Sequence, residues 1–319
     1  MFVVFLTSAI AIGAVFLYGC IGEIITEKSG QLNLGIPGIM CLGTAGGCYG
    51  VYLYMGSTAN PNSFLLTLSM LFFSALFSVL AGGVYALLTV IMKGNQNITG
   101  LSLTIFGNGF TQYFMDNVVK RDDFAKASVL IKTPLPFADK LGWFGQIFLS
   151  HGFLVYFAII LAIIAAIVLK RTRIGLNLRA VGENPATADA AGINVTAYKL
   201  VAVLVGAVIA GFGGVFYIMD YIGGSWQNAA TIEAMGWLAI ALVIFTLWRP
   251  NLSILGSILF GALYIAANYI KGISFKDMKL LNLLPYVVTV IVLVLTSVLD
   301  SKNAQPPAAL GLNYFREDR

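Results

Sequence analysis

The stretch FLLTLSMLFFSALFSVLAGGVYALLTVIM, from Phe64 to Met92, contains no Asp, Glu, Lys or Arg. A helix rises about 1.5 Å per residue, so this run exceeds the roughly 20 residues needed to cross a hydrocarbon core of about 30 Å. Within lipid a backbone must satisfy its own hydrogen bonds, which makes the run a helix. Its excess length predicts tilt or an extension beyond the bilayer.

Outward from this run the pattern repeats. Charge is absent back to Ser29, and again from Gly94 to Met115, Leu141 to Leu169 and Leu280 to Leu299. Of the 319 residues, 59% are hydrophobic and 10% charged, against roughly a quarter charged in soluble domains. A water-soluble globule of this size could not hide that apolar surface, and a disordered chain would be more polar. The fold class read from this is all-α: a single polytopic transmembrane helix bundle over residues 1–319, in contact with membrane lipid. About nine spans are expected, at Met1–Gly22, Pro37–Tyr54, Phe64–Met92, Ile98–Met115, Phe148–Leu169, Lys199–Met219, Ile232–Leu247, Leu252–Ile270 and Leu284–Leu299. Met1–Gly22 has neither a basic n-region nor an A-x-A-like site, so it reads as the first span rather than a signal peptide.

Basic residues set the orientation. Alternate loops divide the 19 Lys and Arg eleven to eight. The short basic loop with Lys170, Arg171, Arg173, Arg179 and Lys199 decides the matter, since five of the eight share one long loop with Asp116, Asp122, Asp123 and Asp139. Segment 170–198 and the C-terminus are placed in the cytoplasm, and the N-terminus and loop 116–147 outside. The net charge of +5 is therefore a topology signal and no pointer to nucleic acid. Gly46-Gly47 before Tyr54-Met55-Gly56-Ser57, and Gly213-Gly214 before Tyr221-Ile222-Gly223-Gly224-Ser225, suggest a parallel internal repeat of four helices about an axis along the membrane normal.

Four motifs carry more than hydrophobicity. Leu32-Asn33-Leu34-Gly35-Ile36-Pro37-Gly38 interrupts regular helix at the mouth of a span. It fits either a broken helix lining a solute path or a helix N-terminus with Pro in its first turn; Asn33, Gly35 and Pro37 are the candidate residues. Small residues four apart, in Gly43-xxx-Gly47, Gly46-xxx-Gly50, Ala207-xxx-Gly211 and Ala210-xxx-Gly214, predict close helix packing. The span Ile98–Met115 carries hydroxyls and amides that are costly against lipid. Asn108 and Gln112, four apart on one helix face, could hydrogen-bond a neutral polar solute or simply join helices. Glu23, Asp220 and Glu233 lie near span ends and read as interfacial charges rather than proton relays.

The fourth motif is Gly182-Glu183-Asn184-Pro185-Ala186-Thr187-Ala188-Asp189-Ala190-Ala191-Gly192. Asn184 is an N-cap, Pro185 takes the first helical position and Gly192 supplies the stop. An isolated helix of about seven residues is not stable alone in water. It rests on the protein's own membrane ends, or it docks a cytoplasmic partner. Glu183, Asn184, Pro185, Ala188, Ala191 and Gly192 are the candidate docking residues.

Some chemistry is missing. There is no Gly-Lys dipeptide and hence no G-x-x-x-x-G-K-[ST] phosphate loop. His151 is the only histidine, and no Cys-x-x-Cys occurs, which removes imidazole triads and multi-His metal sites. Cys20, Cys41 and Cys48 read as packed small side chains. The chain is expected to be no enzyme, with no metal and no cofactor of its own; any ATP must be hydrolysed by another chain. An ion-coupled secondary transporter is the alternative class, although its spans would ordinarily hold ionisable groups.

These residues resemble a known family. Glu23-Ile24-Ile25-Thr26-Glu27-Lys28-Ser29-Gly30 with Leu32 to Met40 is similar to the N-terminal signature of permease subunits in bacterial ABC importers of the nucleoside and simple-sugar type, within the branched-chain amino acid/ribose permease superfamily. Arg179 to Ile193 resembles the family's cytoplasmic coupling segment. Gly236 to Ile244 with Trp248-Arg249-Pro250, Leu284-Pro285-Tyr286, and the tail Pro307 to Gly311 match its later parts, the tail pointing to the nucleoside-type branch. Pro37 stands where the family commonly has Glu, and Thr246 where Gly is common. The resemblance implies a permease in the bacterial inner membrane that imports a nucleoside or similar neutral solute, with riboflavin or a simple sugar as alternatives. It also implies cytoplasmic ATP-binding subunits, a second homologous permease and an extracytoplasmic solute-binding lipoprotein.

Overall fold

A computed structural model describes residues 1–134, 138–270, 272, 274–298 and 305–315, and the described residues contain helices and no strand. In chain order the helices are α1 (Phe2–Glu27), α2 (Ile36–Ser57), α3 (Ser63–Ala86), α4 (Gln96–Val118), α5 (Arg121–Ile131), α6 (Gly142–Phe148), α7 (Phe153–Arg171), α8 (Arg173–Glu183), α9 (Pro185–Ala190), α10 (Val195–Phe216), α11 (Ala229–Phe245), α12 (Pro250–Tyr269), α13 (Phe275–Leu281) and α14 (Leu284–Val298). Each expected span falls on one of them. Six are long and apolar enough to cross a membrane: α1, α2, α3 with its continuation to Ile91, α7, α10 with its continuation to Tyr221, and α12. Helices α11 and α14 are apolar but shorter, and α4 carries the polar side chains. The basic residues Lys271, Lys302, Arg316 and Arg319, and Leu299 of the last expected span, lie outside the described residues.

Several helices start where the sequence supplies a cap. Asn62, Asn95, Asn184, Asn194 and Asn228 each accept a hydrogen bond from a backbone N–H of the following first turn. Such a cap contributes about 1 kcal/mol. The loop between α4 and α7 is not open chain: α5, the short turn Ala138–Leu141 and α6 form along it.

Helix α2 is the hub, far more deeply buried than its neighbour α3. Its glycines explain why. A Cβ on Gly43 would lie 2.4 Å from Gly211 Cα of α10, and one on Gly46 would lie 2.4 Å from Phe73 O of α3. Two stripes of small residues thus let two neighbours approach the same helix from different sides, as the spacing predicts. The outward faces stay apolar, with Phe72 and Leu80 of α3, Ile164 of α7 and Val290 of α14 exposed, as lipid requires.

Alternate connections share an end of the bundle. At one end Gly311 N donates to Gly30 O at 3.2 Å, Ala309 N to Gly182 O at 3.0 Å, Asn313 Nδ2 to Lys93 O at 2.7 Å, and the Trp248 indole to Glu27. At the other, Ser63 Oγ donates to Leu130 O at 2.5 Å, Thr7 Oγ1 to Gln146 O at 3.0 Å and Trp226 Nε1 to Asp116 Oδ1 at 3.1 Å. The expected repeat pairs α2 with α10, which run in the same sense. A second echo joins α3 to α10, which run oppositely. Each continues into a π-helical turn, Leu87–Ile91 or Tyr217–Tyr221. Met92 N bonds Leu87 O and Gly94 N bonds Leu88 O, while Ile222 N bonds Tyr217 O and Gly224 N bonds Ile218 O. Single π turns are found frequently at functional sites.

Candidate functional site

The broken segment before α2 is built as a helix start. Residues 31–33 lie outside any helix, Gly35 is the N-cap of α2 and Pro37 lies within its first turn, where no backbone donor is needed. Asn33 is fully buried. Its N–H donates to Glu23 Oε1 at 3.0 Å, and its Oδ1 accepts from Gly35 N at 3.0 Å. Glycines then bring α4 onto this start. A Cβ on Gly38 would lie 2.3 Å from Leu103 O, and one on Gly107 would lie 2.4 Å from Gly38 O. Thr104 Oγ1 donates to Leu34 O at 2.9 Å.

Helix α11 closes the arrangement from the third side. Gly236 faces Pro37, whose Cα would be 2.4 Å from an added Cβ, and Cys41 Sγ contacts Ala229 O at 3.6 Å. Along the same edge Asn108 Nδ2 donates to Glu233 Oε2, and Gln112 Oε1 accepts from Ala229 N at 2.9 Å. Gln112 Nε2 donates to Asp116 at 3.0 Å, which also receives the Trp226 indole. Trp237 Nε1 reaches Glu233 Oε1 at 3.4 Å. At the Asp116 end of this ladder, a cavity of about 540 Å³ is lined by Asp116, Arg121, Asp122 and Gly223–Trp226 among others.

The structure thus gathers Asn33, Gly35, Pro37, Asn108 and Gln112 along one three-helix seam. Asn33 and Gly35 sit at one end, and Asn108 and Gln112 toward the other. Both amides are engaged with α11. The residues that sequence reading missed are Asp116, Trp226 and Trp237. Of the acids near span ends, Glu23 and Asp220 are buried in protein and Glu233 is half-buried. A charge near a span end looks interfacial in a linear string, but neighbouring helices here enclose it. The available signal was that Glu233 is the one acid of α11 and stands opposite the most polar span.

At the other end of the bundle lies the coupling segment. Helix α9 spans six residues rather than seven, Pro185–Ala190. Asn184 Oδ1 accepts from Thr187 N at 2.9 Å. Gly192 has φ +82°, the left-handed conformation of a helix stop. Ala188 is buried in a small cluster with Val181 and Val195, so α9 rests on α8 and the start of α10. Glu183 Oε2 accepts from Ala308 N at 3.1 Å. Lys28, outside α1, is pulled below the ordinary lysine range by burial, opposed by the nearby Glu183 carboxylate. Among the described residues no group of three or more His, Cys, Asp or Glu is placed to hold a metal.

Comparison with known proteins gives the following. Residues 5–296 match the family described as the branched-chain amino acid transport system / permease component. The nucleoside ABC transporter permease protein NupC of Lactococcus lactis subsp. cremoris is 31% identical over 94% of this chain and 93% of its own. The guanosine ABC transporter permease protein NupQ of Bacillus subtilis is 27% identical over 94% and 92%. A putative glucose ABC transporter permease protein, TsgC13, of Haloferax volcanii is 30% identical over 81% and 75%.

Proposed function

This chain belongs to the permease-component family of the branched-chain amino acid transport system, multi-pass membrane subunits that work with ATP-binding partners and a second permease rather than as enzymes, and we propose that it imports a nucleoside. The observation that carries the reading is the α4–α11 ladder. In a chain with 10% charged residues, Asn108, Gln112, Asp116, Glu233 and two indoles are concentrated along one seam. The amides both donate and accept, the carboxylates accept and the indole N–H groups donate, a mixture that suits the hydroxyls and ring nitrogens of a neutral nucleoside. The nucleoside permeases among the relatives support the same solute class. The relative named for glucose favours a simple sugar as the second reading; riboflavin is the third.

In this proposal α9 docks the ATP-binding subunits through Glu183, Asn184, Pro185, Ala188, Ala191 and Gly192. A lipid-anchored binding protein delivers solute at the end bearing Asp116 and Trp226. The N-terminus lies outside and the C-terminus in the cytoplasm of a bacterial inner membrane. ATP is bound by the partners and not by this chain. The partners must hold one of two permease conformations more tightly, since equal affinity for both shifts nothing.

The test is uptake by the assembled complex in proteoliposomes. A labelled nucleoside is expected to accumulate with ATP, and an excess of unlabelled nucleoside, but not of glucose or riboflavin, to block it. Competition by glucose alone would overturn the solute assignment. For orientation, Thr187→Cys and Lys126→Cys in a background without Cys20, Cys41 and Cys48 are expected to react from opposite sides. Labelling of Thr187→Cys by an impermeant reagent in intact cells would reverse the topology.

A further inference from the structure

Segment 305–315 lies across the end of the bundle that carries α9, and its polar contacts join three parts of the chain that are far apart in sequence. Ala308 N and Ala309 N bond Glu183 Oε2 and Gly182 O at the end of α8. Gly311, with φ +77°, turns the segment so that its N–H donates to Gly30 O. Asn313 Nδ2 donates to Lys93 O at 2.7 Å and Gly94 O at 3.3 Å, just past the π-helical turn of α3. Gln96 Nε2 donates back to Asn313 Oδ1 at 3.3 Å. Tyr314 OH donates to Asp189 Oδ2 on α9 at 2.8 Å, while its ring packs against the Val181–Ala188–Val195 cluster.

The contacts continue inward. Gln96, itself buried, accepts from Leu32 N at 2.7 Å through Oε1. Leu32 O accepts from Tyr85 OH at 2.7 Å, and the next residue, Asn33, bonds Glu23. Hydrogen bonds joined by the Asn313–Tyr314 peptide link therefore run from Asp189 through Tyr314, Asn313 and Gln96 to Leu32, just before α2. Helix α9 buries Ala188 and packs on α8 and the start of α10, and Tyr314 ties it to a segment that also reaches the π–α4 connection. A helix of six residues has no rigidity of its own and takes its position from what it is tied to.

We propose that segment 305–315 is a coupling strut, with Asn313 and Tyr314 as positioning residues that transmit displacement of α9 to the start of α2 and the α3–α4 connection. The inference rests on the reading of α9 as the ATPase docking helix. A physical chain of contacts becomes a coupling route only if both ends bias it, so the test measures coupling rather than contact.

The complete complex in proteoliposomes is assayed for solute carried per ATP hydrolysed, and for cross-linking of Thr187→Cys to the ATP-binding subunit. Tyr314→Phe keeps the ring in its cluster and removes only the hydroxyl. It is expected to lower solute per ATP at least fivefold with the cross-link yield unchanged. Gln96→Leu, or Asn313→Ala if the former lowers membrane yield, is expected to do the same. The double variant is expected to be no worse than the more severe single one, because links in one chain fail together whereas independent sites add. A formed cross-link with an unchanged ratio, or with effects that multiply, would overturn the strut and leave the docking reading standing. Absence of the cross-link in the otherwise unaltered complex would overturn the docking reading and the strut with it.

Discussion

Helix α9 and the α4–α11 seam lie toward opposite ends of the same bundle and are held by different kinds of contact. In α9 the defining bond, Asn184 to Thr187, spans three residues, and the stop at Gly192 is set by one backbone angle. In the seam, Gln112 meets Ala229 across 117 residues, Asn108 meets Glu233 across 125, and Asp116 meets Trp226 across 110. The first is chemistry a short string encodes by itself. The second exists only once α2, α4 and α11 have packed, so it depends on helix crossings that no local motif specifies. Substitutions at the crossings should therefore destroy the seam outright, those within it should alter solute handling, and those in α9 should tune coupling.

The largest effect is expected at the α2–α4 crossing. Gly107→Leu would drive a side chain into the Gly38 backbone, which a Cβ alone already approaches to 2.4 Å. Overpacking of this kind costs roughly 1–3 kcal/mol when the surroundings can shift. Here the obstacle is backbone, so the yield of monodisperse protein from membranes is expected to fall more than tenfold. Gly109→Leu, two residues away with no atom within 4 Å of an added Cβ, is expected to leave the yield within twofold. Equal yields for the two would break the claim that close backbone contact builds the seam.

Next in size are the ladder residues. Asn108→Leu and Gln112→Leu place apolar groups in a membrane protein interior, so assembly is expected to survive. Each removes a hydrogen bond to a carboxylate, worth about 1.5–3 kcal/mol net, and transport per assembled complex is expected to drop at least roughly tenfold while basal ATP hydrolysis continues. A purely structural role would instead cost about 0.6 kcal/mol of helix association per bond. It would leave transport per assembled complex normal. Uptake normalised to assembled complex decides between them, and a normal value for both variants would remove the seam from the solute path.

The same contrast explains what could be read before the fold was in hand. Charge-free intervals locate the helices because lipid imposes one rule on every residue of a span, and each expected segment falls on a helix. The cap, Pro and Gly of residues 184–192 specify α9 to within one residue. Pro37 was ambiguous between a broken helix and a helix start; the start is what forms, because Gly35 caps it and Gly236 leaves room for the ring. The complete burial of Glu23 was not legible, since burial is a property of neighbours. Segment 305–315 was legible only as a family likeness. Its bonds to Gly30, Lys93, Gly182 and Asp189 join three parts of the chain that nothing in a linear string places together.

The smallest expected effect is in α9, and its size follows from how little holds the helix. Asn184→Ala removes the one side-chain cap, worth about 1 kcal/mol, and Pro185→Gly releases a preset first turn. Neither change touches a span, so insertion and complex yield are expected to stay within twofold of the unsubstituted protein. The helix would spend more time frayed. About 1 kcal/mol corresponds to roughly a fivefold change in an equilibrium, and solute carried per ATP is expected to fall by about that factor in the double variant. Asn184→Asp is expected to restore most of it, because an aspartate accepts the same Thr187 N–H and its charge suits a helix N-terminus. A loss of a side-chain contact to a partner would not be rescued this way, since the new charge would alter the contact itself. Full recovery by Asp therefore assigns Asn184 to helix formation, and no recovery assigns its amide to the partner surface. Unchanged coupling in the double variant would show that the local grammar of this segment, however legible, does not govern transport.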